Sequence, residues 1–591
     1  MRKCQAIECE APGHMPGLPG NVISFHTVPL DPAYKAGLPG HVPAKLELTV
    51  RRPGDIIWCV YRESVLGSMR MTAHLDPFQF LKGFPIGLQK VYPKSFTSRK
   101  GLTYGLIRAA EGKKLAVWGE NNPVLADPFQ GKCYPHTSTL KICDLSPQNA
   151  IFLMELFPFT KPVPLREHKI TIGTGDRLGV ANPGHIRAVQ KYRVRPVLAQ
   201  QSVRENTQTG RSFEEVVNDA AWAVFQENYQ DGYGADGDHL KSLEEIKNAL
   251  GAGVSMITLD LSEKLNPEAS DYPKEQLDRQ FKEEIDKGDA EVLLHLFLDK
   301  EFKFKGHHGE FSIRFDRESA KRNILLFHKA IDFTEEAYQF IFSRFGNRHV
   351  IDFEISVDET PFPTTPENHL FFIIALSHRG VKIDALAPRF IGEFQKAIDY
   401  LGNLGDFRKQ FYQHVLIAKD YGDYKISIHS GSDKFSAFPP MGELAEGGLH
   451  LKTAGTSWLE AVRLIASVSP SLYREMHRWA LSKFGEASKL YHVTTDLNHI
   501  PKLEELQDQE LPTLLDQNDS RQLLHITYGY LLNAKDGRGR YLFKDKLYQI
   551  LSEYEEDYWS FLERHIGKHL NSLGVKKRDS EPTLNSIQGK V

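Results

Sequence analysis

Hydrophobic and polar positions along this chain repeat with two periods. From about residue 168 onward, short β-branched or apolar runs alternate with longer stretches whose apolar residues fall three and four apart, the pattern of successive βα units around a parallel sheet. Eight runs stand out: HKITIG (168–173), RPVLAQQS (195–202), GYGADGDHL (232–240), VSMITLDL (254–261), VIDFEISVD (350–358), VKIDALAP (381–388), YKISIHSGS (424–432) and GLHLKTAG (448–455). Eight is the number of strands that closes a (β/α)8 barrel of the TIM type, and this α/β class is the predicted fold. Between the runs the spacing predicts helices over 213–229, with Val216, Val217, Ala220, Val224 and Phe225 on one face, and over 320–345.

The barrel is expected to occupy residues 165–533. Residues 1–164 carry alternating stretches such as KLELTV and DIIWCVY between Pro and Gly turns, and predict a small strand-containing N-terminal domain. A charged insertion at about 262–312 reads as a solvated surface excursion rather than a lid. Over 534–575, Phe543, Leu547, Ile550, Leu551, Tyr554 and Tyr558 recur at helical spacing, so a C-terminal helix should cover the barrel or a partner subunit in a homo-oligomer. The tail 576–591 lacks apolar periodicity and is expected to be disordered.

Charge and composition remove whole classes of function. Lys+Arg number 73 against Asp+Glu 76 in 591 residues, which leaves no basic footprint for nucleic acid. No apolar run is long enough to cross a bilayer, so no membrane role is expected. The N-terminal MRKCQAIECEAPGH has charges and a proline where a signal peptide would be apolar, and the protein reads as cytoplasmic. Its cysteines, Cys4, Cys9, Cys59, Cys133 and Cys143, all lie in the first quarter at spacings unlike a zinc module. Chemistry in the rest of the chain must therefore use His, Asp, Glu, Lys or Arg.

Barrel active sites form at the carboxyl ends of the strands, and these ends are polar here. The third offers Asp236, Asp238 and His239 among three glycines, which let a ligand approach. The seventh ends in His429 and Ser430, and the eighth carries His450 and Lys452 on one strand face. One imidazole from each of three strands can make a catalytic divalent-metal site if they converge; singly, each can equally be structural. In the fifth strand Asp352, Glu354 and Asp358 share parity, as a polar interior layer or as a proton-donor or metal-ligand line. Arg177, Arg204, Arg389 and Lys452 stand at strand ends, where they suit a substrate carboxylate or phosphate. With Asp176, Gln201 and Ser430 from the same motifs, the candidate substrate-binding set is Asp176, Arg177, Gln201, Arg204, Ser430 and Lys452. Gly173-x-Gly175 lacks the third glycine of a dinucleotide fingerprint, Leu178 standing there, so no nicotinamide cofactor is expected. His565 and His569 are four apart but have no third ligand in their motif, and His307 and His308 read as solvated.

Together, GTGDRLGVANPGHIRAV, AQQSVREN, GYGADGDHLK, DFEISVDETPFPTTPENH, LAPRFIGEFQKAIDY, YKISIHSGSDKFS, HLKTAGTSWLEAVRLIA, YHVTTDL and RQLLHITYG closely resemble the tagaturonate/fructuronate epimerase family, from about Ile170 to Gly529. The resemblance implies a metal-dependent enzyme of hexuronate catabolism that interconverts D-tagaturonate and D-fructuronate on a barrel related to class II aldolases. It implies Asp238 as proton acceptor, Glu354 as proton donor, and His239, His429 and His450 as ligands of one divalent ion. Zn, Mn, Ni, Co and Fe suit three imidazoles alike.

The reaction itself asks for such residues. The two ketohexuronates differ at the carbon β to the ketone, whose C–H bond enolisation does not acidify. Retro-aldol cleavage between the α and β carbons, rotation of the aldehyde and re-addition inverts that centre, with a cation stabilising the developing enediolate. Two other readings remain at this stage. One is an aldolase acting on a keto sugar acid, through a metal or a Schiff base at Lys452; the other is a non-catalytic sugar-acid binding or regulatory protein.

Overall fold

Eight parallel strands close into a barrel in chain order: β1 (Ile170–Gly173), β2 (Arg195–Ser202), β3 (Gly234–Leu240), β4 (Met256–Asp260), β5 (Asp352–Val357), β6 (Ala385–Pro388), β7 (Lys425–Ile428) and β8 (Leu449–Lys452), with β8 pairing back to β1. The computed structural model describes the strands Ser24–Thr27, Leu46–Arg52 and Asp55–Val60, then residues 77–578 apart from 120–123, 125–126, 135–138, 346–349, 447 and 454. Each barrel strand falls inside one of the eight runs. The (β/α)8 class expected from periodicity is the observed one, because a parallel strand buried on both faces must be a short apolar run.

Local chemistry starts the helices. Ser202, Ser212 and Ser242 each accept from the backbone N–H three residues on, while Glu205, Glu215 and Glu245 reach back to the cap. These three S-x-x-E capping boxes set the first turns after β2 and β3. The helix predicted over 213–229 runs Phe213–Glu227, and that over 320–345 runs Arg317–Phe345.

By internal contacts the chain falls into two units, residues 1–91 with 108–112, and residues 92–107 with 113–591. In the first, the KLELTV and DIIWCVY stretches form the antiparallel strands Leu46–Arg52 and Asp55–Val60. In the second, the antiparallel strands Gly131–Tyr134 and Thr139–Cys143 precede the barrel. Residues 92–107 and 113–164 share a core with the barrel: Leu106, Val117 and Phe157 join Trp222, Phe225 and Trp458, with the Phe157 and Phe225 rings 5.1 Å apart.

Three expectations change. The charged insertion is folded, as helices Lys274–Glu284 and Lys287–Phe297 and a hairpin of Glu301–Gly306 with Gly309–Arg314. Its charges line the outside while Leu277, Phe281, Phe297 and Phe304 are buried, Phe297 stacking on Phe371 at 4.5 Å. The C-terminal helix is two helices, Lys544–Glu553 and Glu555–Ser572, broken at Tyr554, which is exposed rather than buried. Lys576–Arg578, assigned to a disordered tail, are ordered: Lys577 bridges Tyr192 and the Arg578 guanidinium pairs with Asp231. Residues 579–591, the N-terminal stretch read for export, and Cys4 and Cys9 lie outside the described residues, as does the side chain of Cys59. Cys133 and Cys143 are free thiols. Among the described residues no helix is long and apolar enough to cross a membrane.

Candidate active site

Two irregularities in the barrel wall decide which side chains face its mouth. Between Val197 and Ala199 the register of β2 against β3 slips by one residue. An extra residue in one strand reverses inside and outside beyond it, so Gln200 and Ser202 line the cavity. Gln201, expected at the substrate, points away and accepts from Arg211 at 3.0 Å. Gly173 makes room for this exchange, since a Cβ there would overlap the Gln200 amide. In β3 the register slips again between Gly237 and Leu240, and His239 adopts φ +57°. The left-handed residue turns its imidazole to the same cavity as Asp238, against simple alternation.

Below the cavity floor lies a buried charge cluster. Lys452 Nζ donates to Asp238 Oδ1 at 2.6 Å, Asp236 Oδ2 at 3.0 Å and Thr258 Oγ1 at 2.7 Å, and Glu354 Oε1 lies 2.9 Å away. Burial would lower the lysine's pKa, but the three carboxylates hold it well above its usual value. The same group of interactions outweighs burial at Glu354, where Lys452 and His429 keep the carboxyl ionised, and at Asp238, where His239 and Lys452 do so. Asp236 is the exception: burial, reinforced by the neighbouring carboxylates, outweighs Lys452 and pushes it up to about 6.

Above this cluster two imidazoles and a carboxylate converge. His239 donates through Nδ1 to Asp238 at 2.9 Å, and His429 through Nε2 to Glu354 at 2.7 Å. Each ring is thereby left with its other nitrogen toward Asp358, His239 Nε2 at 4.0 Å and His429 Nδ1 at 3.3 Å. The His429 Nδ1 is buried and has no hydrogen-bond partner among the described residues. One ligand atom from each of His239, Asp358 and His429 lies within 4.8 Å of the others. Carboxylates that fix the tautomer and aim of two imidazoles are the outer shell of a histidine metal site. Burial would lower His239, yet Asp238 and Asp358 raise it to about 10, so the surroundings favour positive charge there. Asp236, Asp238 and Glu354 surround the Lys452 ammonium while Asp358 stands beside the two imidazoles, and the His239, His429 and Asp358 donors fit a divalent cation.

The three expected imidazoles do not lie in one layer of the barrel. His450 shares a strand face with Lys452, but side chains two apart along a strand sit roughly 6.6 Å apart, in successive layers. His450 is in the deeper one, with Nδ1 against Thr171 Oγ1 at 2.9 Å, and burial lowers it to about 3. It is not one of the His239, Asp358 and His429 group, and its Nε2 is buried without a hydrogen-bond partner among the described residues. Glu354 is fully buried and touches His429 and Lys452 rather than the cavity.

The expected substrate contacts divide. Asp176 is spent on its own loop, accepting from the backbone N–H of Leu178, Gly179, Ala181 and Asn182. Arg177, Arg204, Ser430 and Lys452 all line the cavity. Arg177 is held by Glu205 at 2.5 and 3.0 Å and stacks on Tyr528 at 3.9 Å. Arg204 approaches Glu359 at 3.7 Å, and Ser430 accepts from Lys396 at 2.7 Å. Arg389 lies at the outer rim. Lys396, Tyr491 and His525 join the lining without having been singled out. They stand in FQKAIDY, YHVTTDL and RQLLHITYG, away from strand ends, and the last two come from the segment between β8 and the C-terminal helices. Gly455 makes room for His525: a Cβ there would strike its ring.

His565 and His569 do gain a third polar partner, Asp433, 3.4 and 3.6 Å away. Their nitrogens are already engaged: His569 accepts from the Asp433 N–H at 3.0 Å and donates to His565 O at 2.8 Å, while Arg521 occupies the carboxylate at 2.5 Å. This cluster braces the loop after His429 from behind. His307 and His308 are exposed, the backbone N–H of His308 donating to the Tyr412 phenol at 3.0 Å.

The tagaturonate epimerase family matches residues 92–573. A tagaturonate/fructuronate epimerase from Thermotoga maritima is 38% identical over 484 residues, 82% of this chain and 97% of that protein. The native crystal structure of fructuronate-tagaturonate epimerase from Cohnella laeviribosi and its two glycerol-complexed forms are each 44% identical with a TM-score of 0.79, over 84% of this chain and 99% of theirs. On these matches the chain belongs to the tagaturonate epimerase family, and it is an enzyme.

Proposed function

We propose that the protein interconverts D-tagaturonate and D-fructuronate by breaking and re-forming the bond between the carbons α and β to the ketone. The observation that carries this reading is the pair of carboxylate-fixed imidazoles, His239 and His429, aimed at Asp358 beside the Asp238–Lys452 pair. His239, His429 and Asp358 would hold the divalent cation. Bound there, it would act as a Lewis acid toward the ketone and neighbouring hydroxyl oxygens.

The protein's own groups account for the proton movements. Asp238, an ionised carboxylate at the cavity wall, takes the proton of the β-hydroxyl. The β-carbon becomes an aldehyde, and the electron pair of the broken bond passes to the α-carbon and ketone. After the aldehyde turns, the α-carbon adds to its other face and the new alkoxide takes a proton. Lys452, which also lines the cavity, is the donor on that side, with Glu354 as its counter-charge. Glu354 therefore acts through Lys452 and His429 rather than by touching substrate. A Schiff base at Lys452 is disfavoured, because an ammonium held by three acids is a poor nucleophile.

Asp238→Asn keeps shape and removes the base. It is expected to lower kcat for D-tagaturonate by roughly 10²- to 10⁴-fold in a protein that still folds, with a lower unfolding midpoint because Lys452 and His239 lose a charged partner. Wild-type-like turnover would remove Asp238 from the reaction.

A further inference from the structure

The cavity has four cations near its wall, and they are not equally available. Lys452 is committed to three carboxylates and Arg177 to Glu205. Lys396 donates to the Ser430 hydroxyl at 2.7 Å, and among the described residues no carboxylate comes within 4.0 Å of it. Arg204 beside it lies over the Tyr491 ring at 5.1 Å and reaches Glu359 only at 3.7 Å. Next to them His525 has both ring nitrogens buried without a hydrogen-bond partner. A desolvated cation with no counter-ion is costly unless a ligand supplies one. Burial and Arg204 push the Lys396 ammonium below its usual pKa, against the opposing pull of the more distant Glu205 and Glu359.

We propose that Lys396, with Arg204 beside it, seats the carboxylate of the ketohexuronate, and that this anchor retains the aldehyde half of the cleaved sugar while it turns. The inference rests on the cleavage route proposed above. Cleavage divides the six carbons into the enediolate of dihydroxyacetone, held at the ketone end, and tartronate semialdehyde, which carries the carboxylate. No covalent bond then ties the second piece to the first. Its carboxylate offers the one full charge by which the protein can hold it, and an anchor there lets the aldehyde turn about the adjacent carbon–carbon bond without leaving. The Ser430 hydroxyl, already on Lys396, and the His525 ring are placed to share the same group.

The test uses the metal-loaded enzyme with Lys396→Met and, as the conservative control, Lys396→Arg. With D-tagaturonate, followed by NMR, Lys396→Met is expected to raise KM on the order of 100-fold. Protonation of the released enediolate should also let dihydroxyacetone accumulate beside tartronate semialdehyde, and Lys396→Arg should recover most of the KM. An unchanged KM with no released fragments overturns the proposal, as does an equal loss of kcat in both variants at constant KM. Binding of D-gluconate, a sugar acid without a ketone, is measured in parallel by calorimetry. A loss on the order of 100-fold in Lys396→Met supports the anchor even if tagaturonate is not the substrate, and equal affinity overturns it. Failure of the wild type to convert D-tagaturonate instead strikes the proposed function.

Discussion

Lys452→Met is expected to abolish measurable turnover and to cost about 3–5 kcal/mol of folding stability, the range for a buried charge pair robbed of one partner. The ammonium is 4% exposed and makes contacts of 2.6 to 3.0 Å with Asp238, Glu354 and Asp236. Without it three carboxylates face one another in a low-dielectric floor, and they respond by binding protons. The sign of the pH dependence should therefore reverse. In the wild type Asp238 and Glu354 are held below their ordinary range, so they add stability above the unfolded carboxylate pKa and lose it as pH falls. In the variant their folded pKa values rise above the unfolded ones, so the deficit is greatest near neutrality and shrinks as pH falls toward the ordinary carboxylate range. Chemical unfolding of both proteins across pH 5 to 8 reads this directly. A deficit constant across that interval, or a variant as active as the wild type, would contradict the charge assignment.

The second large effect concerns the cation. Chelation is expected to remove activity, and a divalent ion to restore it. His239→Ala and Asp358→Ala should each weaken cation binding, measured by competition with a chromophoric chelator, by more than the roughly 10- to 100-fold expected for Glu354→Gln, whose carboxylate only orients His429. His450→Ala should leave that affinity nearly unchanged, because its ring stands a layer deeper with Nδ1 on Thr171 and outside the His239, Asp358 and His429 group. Strong loss in His450→Ala with none in Asp358→Ala would restore the three-histidine set and exclude the one proposed.

How far the sequence could be read follows from which forces act locally. The eight strands were legible because each must be a short apolar run ending in polar residues, and the capping boxes at Ser202, Ser212 and Ser242 mark where helices begin. Side-chain direction was legible only where strands are regular. Gln201 was expected inside because alternation was assumed through Val197–Ala199, where the backbone slips, and nothing in RPVLAQQS announces the bulge. His239 reaches the cavity through a left-handed backbone, which periodicity does not foresee. His450 shares the parity of Lys452, and parity does not say that its ring stands a layer deeper. Lys396 and His525 come from long-range packing of a loop and of the segment between β8 and the C-terminal helices, which no local pattern encodes. The charged insertion misled because charge shows on its outer face, while the aromatic residues that fold it are few and spaced among the charges.

The most direct test of the account is NMR of D-tagaturonate with the protein in deuterated water, first chelated and then supplied with single divalent ions. D-Fructuronate should appear only with an ion, and with hydrogen, not deuterium, at both the α carbon and the inverted β carbon. Cleavage and re-addition break a carbon–carbon bond and leave both C–H bonds intact. Deuterium at the inverted carbon, or no product with any ion, would contradict the account.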